Sequence, residues 1–170
     1  MVKEIGGENI VKKINGKCCV YFWDTNIFLT SSEDWIYWEV CENEENNQRI
    51  SILHPRMGYF DSRLVERGAD VLYKEEEILL IFNGGNTVNF NDQKMSKFTN
   101  SAGQGLFKKS ATHRLIDRTK SYFITPDKDY EKVGEVREVC FVEGLVHFKN
   151  KWFLYYAMAE SKIAESINDE

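Results

Sequence analysis

CFVEGLVHFKNKWFLYYAMAES, residues 140–161, sets two runs of branched and aromatic residues around the polar triplet Lys149-Asn150-Lys151. Strand-forming residues on both sides of a short polar turn predict a β-hairpin. Two carboxylates, Glu143 and Glu160, stand in this apolar company. A strand buried on both faces holds a charge only where it has a partner or a task, and for Glu143 a charge-assisted hydrogen bond to a neighbouring sheet is the leading expectation.

Two further stretches repeat the pattern. IVKKINGKCCVYFW (10–23) and VLYKEEEILLIFN (71–83) also give a short strand, a polar turn and a second aromatic-rich strand, as LVHFKNKWFLYYA (145–157) does. The second strands begin near Cys18, Ile78 and Trp152, at intervals of 60 and 74 residues. One hairpin per unit plus variable outer strands suits the blades of a β-propeller better than a sandwich, whose turns recur every ~8–12 residues. The expected fold is therefore all-β, a partial propeller of roughly three blades forming a single domain over residues 1–170.

Little helix is expected. Ser32 to Trp38 fits one helical turn or a tight turn, 41–49 (CENEENNQR) a solvated loop, and 125–136 (TPDKDYEKVGEV) a connector. IAESINDE (163–170) lacks the strand pattern and is expected to fray.

Composition excludes several function classes. The chain has 170 residues, is 42% hydrophobic and carries a net charge of −5, which suits a packed domain and not a nucleic-acid binder, because phosphate neutralisation needs a basic stripe. No apolar run approaches the ~18 residues of a membrane span, and the first twenty residues hold no secretory core, so the sequence reads as cytoplasmic. Cys18, Cys19, Cys41 and Cys140 have no metal-ligand spacing and read as free thiols; His54, His113 and His147 lie far apart. No metal and no cofactor is expected.

At the level of motifs the chain resembles glycoside hydrolase family 130, the β-mannoside phosphorylases and mannosidases. The resemblance is carried by WDTNIFLTSSEDWIYWE (23–39), HPRMGYFDSRLVERG (54–68), ILLIFNGGN (78–86), SAGQGLF (101–107) and EGLVHFKNKWFLYYAMAES (143–161), in family order. It implies the C-terminal half of a five-bladed propeller with a central sugar pocket. It also implies an inverting attack on a mannosidic bond in a mannose-containing oligosaccharide. An acid protonates the leaving oxygen while phosphate or activated water arrives from the opposite face. The family's general acid comes from the N-terminal half, and none is assigned here.

The same resemblance nominates site residues. Phosphorylases carry histidine where Asn83 stands, which the resemblance makes a substrate-binding position, and tyrosine where Asn100 stands; the two changes point to the hydrolase branch. There Glu66 would activate water, or alternatively serve as a strand-end acid paired with Arg63 or Arg67. Asp61 reads as a pocket residue or a turn aspartate, and Arg56 as a sugar clamp or an inter-blade ion pair. Glu160 occupies a sugar-contact position where the family has aspartate, beside Ala157 in place of glycine; Thr25 stands where hydrolase relatives often show an acid. Trp35, Tyr37, Trp38, Tyr59, Trp152, Tyr155 and Tyr156 could stack on sugar or fill blade cores.

Three hairpins cannot close a ring. The chain is thus expected to join the missing N-terminal half or to associate with itself, either as part of an enzyme or as a non-catalytic module that binds carbohydrate or protein.

Overall fold

The computed structural model describes residues 10–14, 16–69, 71–73 and 75–169. Within it the chain forms twelve strands and one short helix: β1 (Ile10–Ile14), β2 (Lys17–Phe22), β3 (Phe28–Ser32), β4 (Glu39–Val40), β5 (Leu64–Arg67), β6 (Leu72–Tyr73), β7 (Glu77–Gly85), β8 (Asn100–Lys108), β9 (Ala111–Arg118), α1 (Asp129–Lys132), β10 (Cys140–Phe148), β11 (Lys151–Met158) and β12 (Lys162–Asp169). They make three antiparallel sheets, ordered β1-β2-β3-β4, β5-β7-β8-β9 with β6 also on β7, and β10-β11-β12. The three hairpins read from the sequence are β1–β2, β6–β7 and β10–β11, each in a different sheet. Asn15, Asp70 and Lys74, in or near the first two turns, lie outside the described residues, as do residues 1–9.

Two apolar layers hold the sheets face to face. Alternation along β7 divides it between them: Ile78, Leu80 and Phe82 pack with Cys19, Tyr21 and Leu29 of the first sheet, while Ile81 packs with Val142, Leu154, Tyr156 and Met158 of the third. A strand serving two layers must be apolar on both sides, which is why ILLIFN reads as an unbroken run. Phe60 wedges against Phe82 with ring centroids 5.9 Å apart. Gly103 makes room for this pair, because a Cβ there would come within 2.5 Å of Phe60. Full burial of one such phenyl ring stabilises by about 1.5–3 kcal/mol.

The turns explain why these hairpins close. Lys149 and Asn150 have φ of 50° and 61°, the two left-handed residues of a type I′ turn, whose twist matches that of the flanking strands. Ser32 Oγ accepts from the N–H groups of Asp34 and Trp35, and Asp34 Oδ1 from those of Ile36 and Tyr37. Ser32 to Trp38 is accordingly a tight turn and not a helix. The 125–136 connector contains α1, and the 41–49 loop is closed by an isolated bridge between Glu42 and Arg49.

Two expectations need correction. Residues 162–169 do not fray: β12 pairs with β11 without a break, from Lys162 opposite Met158 to Asp169 opposite Lys151. Its polar composition hid an edge strand whose inward-facing backbone groups pair with β11 and whose side chains mostly meet solvent. The 140–161 hairpin is also buried on one face only, so Glu143 and Glu160 both reach solvent. Cys18, Cys19 and Cys140 are buried thiols, and Cys41 is half-buried.

Candidate functional site

Glu66 lies on β5 opposite Asn83 of β7, so the two side chains share the face turned toward the third sheet. Glu66 is half-buried, and its pKa is raised above the ordinary carboxylate value. Burial is the main cause, followed by the charge of Asp24; Arg63 pulls it back down, and Glu143 adds a smaller push upward. Asp24 comes from the β2–β3 loop, which is tied to β5 by the Val65 N–H donating to the Thr25 carbonyl at 3.2 Å. Glu143 sits where the β10–β11 register slips between Val142 and Gly144. Its own pKa is raised, chiefly by desolvation, with Arg67 opposing. Asp24 from a loop of the first sheet and Glu143 from the third thus both act electrostatically on Glu66 of the second.

Asn83 is fully buried and spends its amide on the third sheet. Its Oδ1 accepts from the Val142 N–H at 2.8 Å, while Nδ2 donates to the Val142 carbonyl at 3.0 Å and to the Arg67 carbonyl at 3.3 Å. The side chain stands in for a neighbouring strand and fixes how β10 meets β7.

Asp61 and Arg56 meet each other. The Asp61 carboxylate has no solvent exposure; Arg56 Nη2 lies 2.7 Å from its Oδ2 and Arg118 Nη2 2.5 Å from the same atom. Arg56 also donates to the Thr119 carbonyl, and Arg118 Nη1 to the His54 carbonyl. Arg118 lies over the Phe82 ring at 4.6 Å, and its pKa is lowered to about 10 by burial, against the pull of Asp61. This cluster pins the 54–62 segment, which feeds β5, onto the end of β9.

Glu160 is elsewhere. With Ala159 it forms the left-handed centre of the β11–β12 turn, φ 53° and 47°, closed by the Ser161 N–H donating to the Met158 carbonyl. Glu160 is exposed at that tip.

Of the seven aromatics singled out in the sequence, Tyr156 is buried and donates to Glu131 Oε1 at 2.9 Å. Trp152 packs on His147, and Tyr59 lies under the Arg56 guanidinium. Trp35 and Tyr37 are exposed on the 32–38 turn, where Trp38 meets Trp35 edge-on, and Tyr155 lies on the open face of the third sheet. Sequence reasoning missed Arg118, Asp24 and Glu131. Arg118 could not be found without knowing that β9 ends beside Asp61. Asp24 carried a local signal, an acid in a strand-ending WDTN string.

A concavity of about 510 Å³ lies between the first sheet and the β8–β9 turn, lined by Lys17, Cys19, Glu39, Cys41, Lys109 and His113 among others; it holds none of Asp24, Arg63, Glu66 or Glu143. Among the described residues no His, Cys, Asp and Glu group could hold a metal, and no helix is long and apolar enough to cross a membrane.

The comparisons with known proteins agree with this architecture. The crystal structure of a glycosyl hydrolase from Bacteroides ovatus is 36% identical, with a TM-score of 0.86 over 94% of this chain and 44% of that one. A second solved structure belongs to work on glycoside hydrolases of family 130 that target β-1,2 mannosidic linkages in Candida mannan; it is 34% identical, with a TM-score of 0.87 over 94% of this chain and 44% of that one. A β-1,2-mannobiose phosphorylase from Listeria innocua shares the fold at 22% identity, with a TM-score of 0.75 over 95% of this chain and 44% of that one. The comparison with curated proteins gives no match. This chain spans less than half the length of the solved relatives, and its three sheets are part of their five-bladed propeller. The family model described as beta-1,4-mannooligosaccharide phosphorylase matches residues 2–169, and the chain belongs to glycoside hydrolase family 130.

Proposed function

We propose that this chain is the C-terminal part of an inverting β-mannosidase that acts on mannose-containing oligosaccharides once the remaining blades complete the ring. The observation that carries the reading is Glu66, a half-buried carboxylate whose pKa is raised by burial and by Asp24. A raised pKa suits a base that must take a proton from water as the oxygen attacks the anomeric carbon. The leaving oxygen takes its proton from a general acid supplied by the other blades. Water is favoured over phosphate because Asn83, at the position where phosphorylases carry histidine, is engaged with Val142 and Arg67 and offers no cation to a dianion.

The other nominated residues take distinct parts. Arg56 and Asp61 brace the segment that presents β5, since the Asp61 oxygens are taken by guanidinium groups. Glu160 reaches substrate only where a further blade brings sugar to the β11–β12 turn.

The test is a chimera that restores the N-terminal blades from the Bacteroides ovatus relative. It should release mannose from β-mannobiose, and Glu66→Gln should abolish that release. Mannose 1-phosphate formed in phosphate buffer would instead favour the phosphorylase reading.

A second reading, a non-catalytic module closed by association with itself or another protein, is favoured by the outer face of the third sheet. Val146, Phe148, Ile163 and Ile167 are all exposed there. Sedimentation of the chain alone separates the two, because an interaction module associates without added blades.

A further inference from the structure

Two large aromatic residues near the start of β5, the strand that carries Glu66, are held in solvent by backbone that disfavours them. Along β2, Cys19 and Tyr21 face the first apolar layer, and strict alternation would send Trp23 after them. Instead Trp23 adopts a φ of 85° and its indole is 54% exposed. Thr25, a β-branched residue, is also left-handed at 64°, a conformation that such side chains rarely accept. The loop is pinned on both sides: Val65 N–H donates to the Thr25 carbonyl, Asn26 N–H to the Asp24 carbonyl, and Ile27 N–H to the Leu53 carbonyl.

Phe98, in the loop between β7 and β8, repeats the arrangement. Its φ is 65° and its ring is 59% exposed. Buried Asn86 fixes the loop that carries it: the Phe98 N–H donates to the Asn86 carbonyl, the Asn86 N–H to the Thr99 carbonyl, and Asn86 Nδ2 to the Ser96 carbonyl. Arg63 lies 5.7 Å from the centre of the ring and donates to Asn100 Oδ1 at 3.3 Å. Gly85 leaves space for that guanidinium, since a Cβ would stand 2.8 Å from its Nη2. Both rings are thus tied to the start of the strand that carries Glu66, the Trp23 loop through Thr25 and Val65, and Phe98 through Arg63.

Backbone strain of this kind persists where the surroundings over-determine it, and it concentrates at ligand clamps. Rigid exposed rings beside polar groups and a base match what the C–H faces of pyranose sugars stack upon. We infer that Trp23 and Phe98 are stacking platforms beside the 63–65 segment of the strand that carries Glu66, each taking one sugar ring of a bound disaccharide unit. The inference rests on the mannoside reading above and adds the residues that hold the substrate.

The experiment is a ligand-observed NMR titration of the full chain with β-1,2-mannobiose and with mannose, alongside thermal melts. Wild type, Trp23→Gly, Phe98→Gly and Phe98→Tyr are compared. Glycine accepts a left-handed φ without strain, so both glycine variants should melt at or above the wild-type temperature while binding mannobiose about two- to tenfold more weakly. Phe98→Tyr keeps the ring and should bind as wild type does. Undiminished mannobiose binding in both glycine variants overturns the platforms and leaves the mannoside reading standing. Glycine variants that unfold or melt lower show that the rings serve the fold, and overturn the platforms as well. A wild-type chain that binds neither sugar overturns the platforms, while the mannoside reading stands or falls on the completed chimera.

Discussion

Glu66 stands directly opposite Asn83 in the β5–β7 ladder, and the Asn83 amide in turn exchanges hydrogen bonds with both backbone groups of Val142 in the next sheet. The candidate base is therefore mounted on the joint between the second and third sheets. Replacing Asn83 by Leu removes both bonds and strands two buried backbone groups. At about 1–3 kcal/mol for each unsatisfied group, stability should fall by roughly 2–6 kcal/mol in urea unfolding. The Val142 amide should also lose its protection in hydrogen exchange, before the amides of β2 and β3 do.

Asp61 answers to two guanidinium groups in a site closed to water. Asp61→Asn keeps the shape and removes the charge, leaving Arg56 and Arg118 without a counter-ion. Breaking a buried pair from one side costs about 3–5 kcal/mol. Chemical denaturation should show a loss of that order, whereas Lys128→Ala, which removes an exposed pair with Asp127, should change the midpoint by less than the measurement error.

Glu131 gives the fold an acid-side limit. Burial pushes its pKa up, but the N–H groups of Lys128 and Asp127 and the Tyr156 hydroxyl outweigh that and hold it below the ordinary value of 4.5. A carboxylate with a depressed folded pKa contributes stability above its unfolded pKa and loses it as pH falls through the folded one. Melting temperature should thus decline as pH drops below about 4.5. In Glu131→Gln this part of the decline should be absent, from a lower starting stability at neutral pH.

Glu66 has the opposite sign. Its folded pKa is raised above 4.5, so its favourable contribution is complete below the unfolded pKa and is lost as pH rises through the folded one. Glu66→Gln should stabilise the chain at neutral pH and lose that advantage in acid. Asp24→Asn should lower the Glu66 pKa and Arg63→Gln should raise it, both readable by carbon-detected NMR titration of the Glu66 carboxyl. A structural strand-end acid would show the reverse, with Glu66→Gln destabilising at neutral pH.

Much of the architecture was legible because strand pattern is local. The repeated hairpins, the run of residues 78–83 and the free thiols all follow from which residue types alternate over a few positions. The strand at 162–169 escaped for a physical reason: its pairing belongs to β11, and its own residues look soluble. The site was legible in part. Glu66 and Asn83 were named through family strings, but their opposition in a ladder depends on register. The Asp61–Arg118 pair joins residues 57 positions apart that no local spacing connects. Glu160 was named through a family string from which it departs, and its place on the β11–β12 turn is set by strand pairing that no local pattern shows.

Mannose release by the completed ring tests the central claim most directly. With the N-terminal blades of the Bacteroides ovatus relative fused to this chain, β-mannobiose in phosphate-free buffer should be hydrolysed with inversion, and Glu66→Gln in the same folded chimera should lose that activity by roughly a hundredfold or more, as expected when a positioned general base is removed. Equal rates for the chimera and its Glu66→Gln variant would contradict the account.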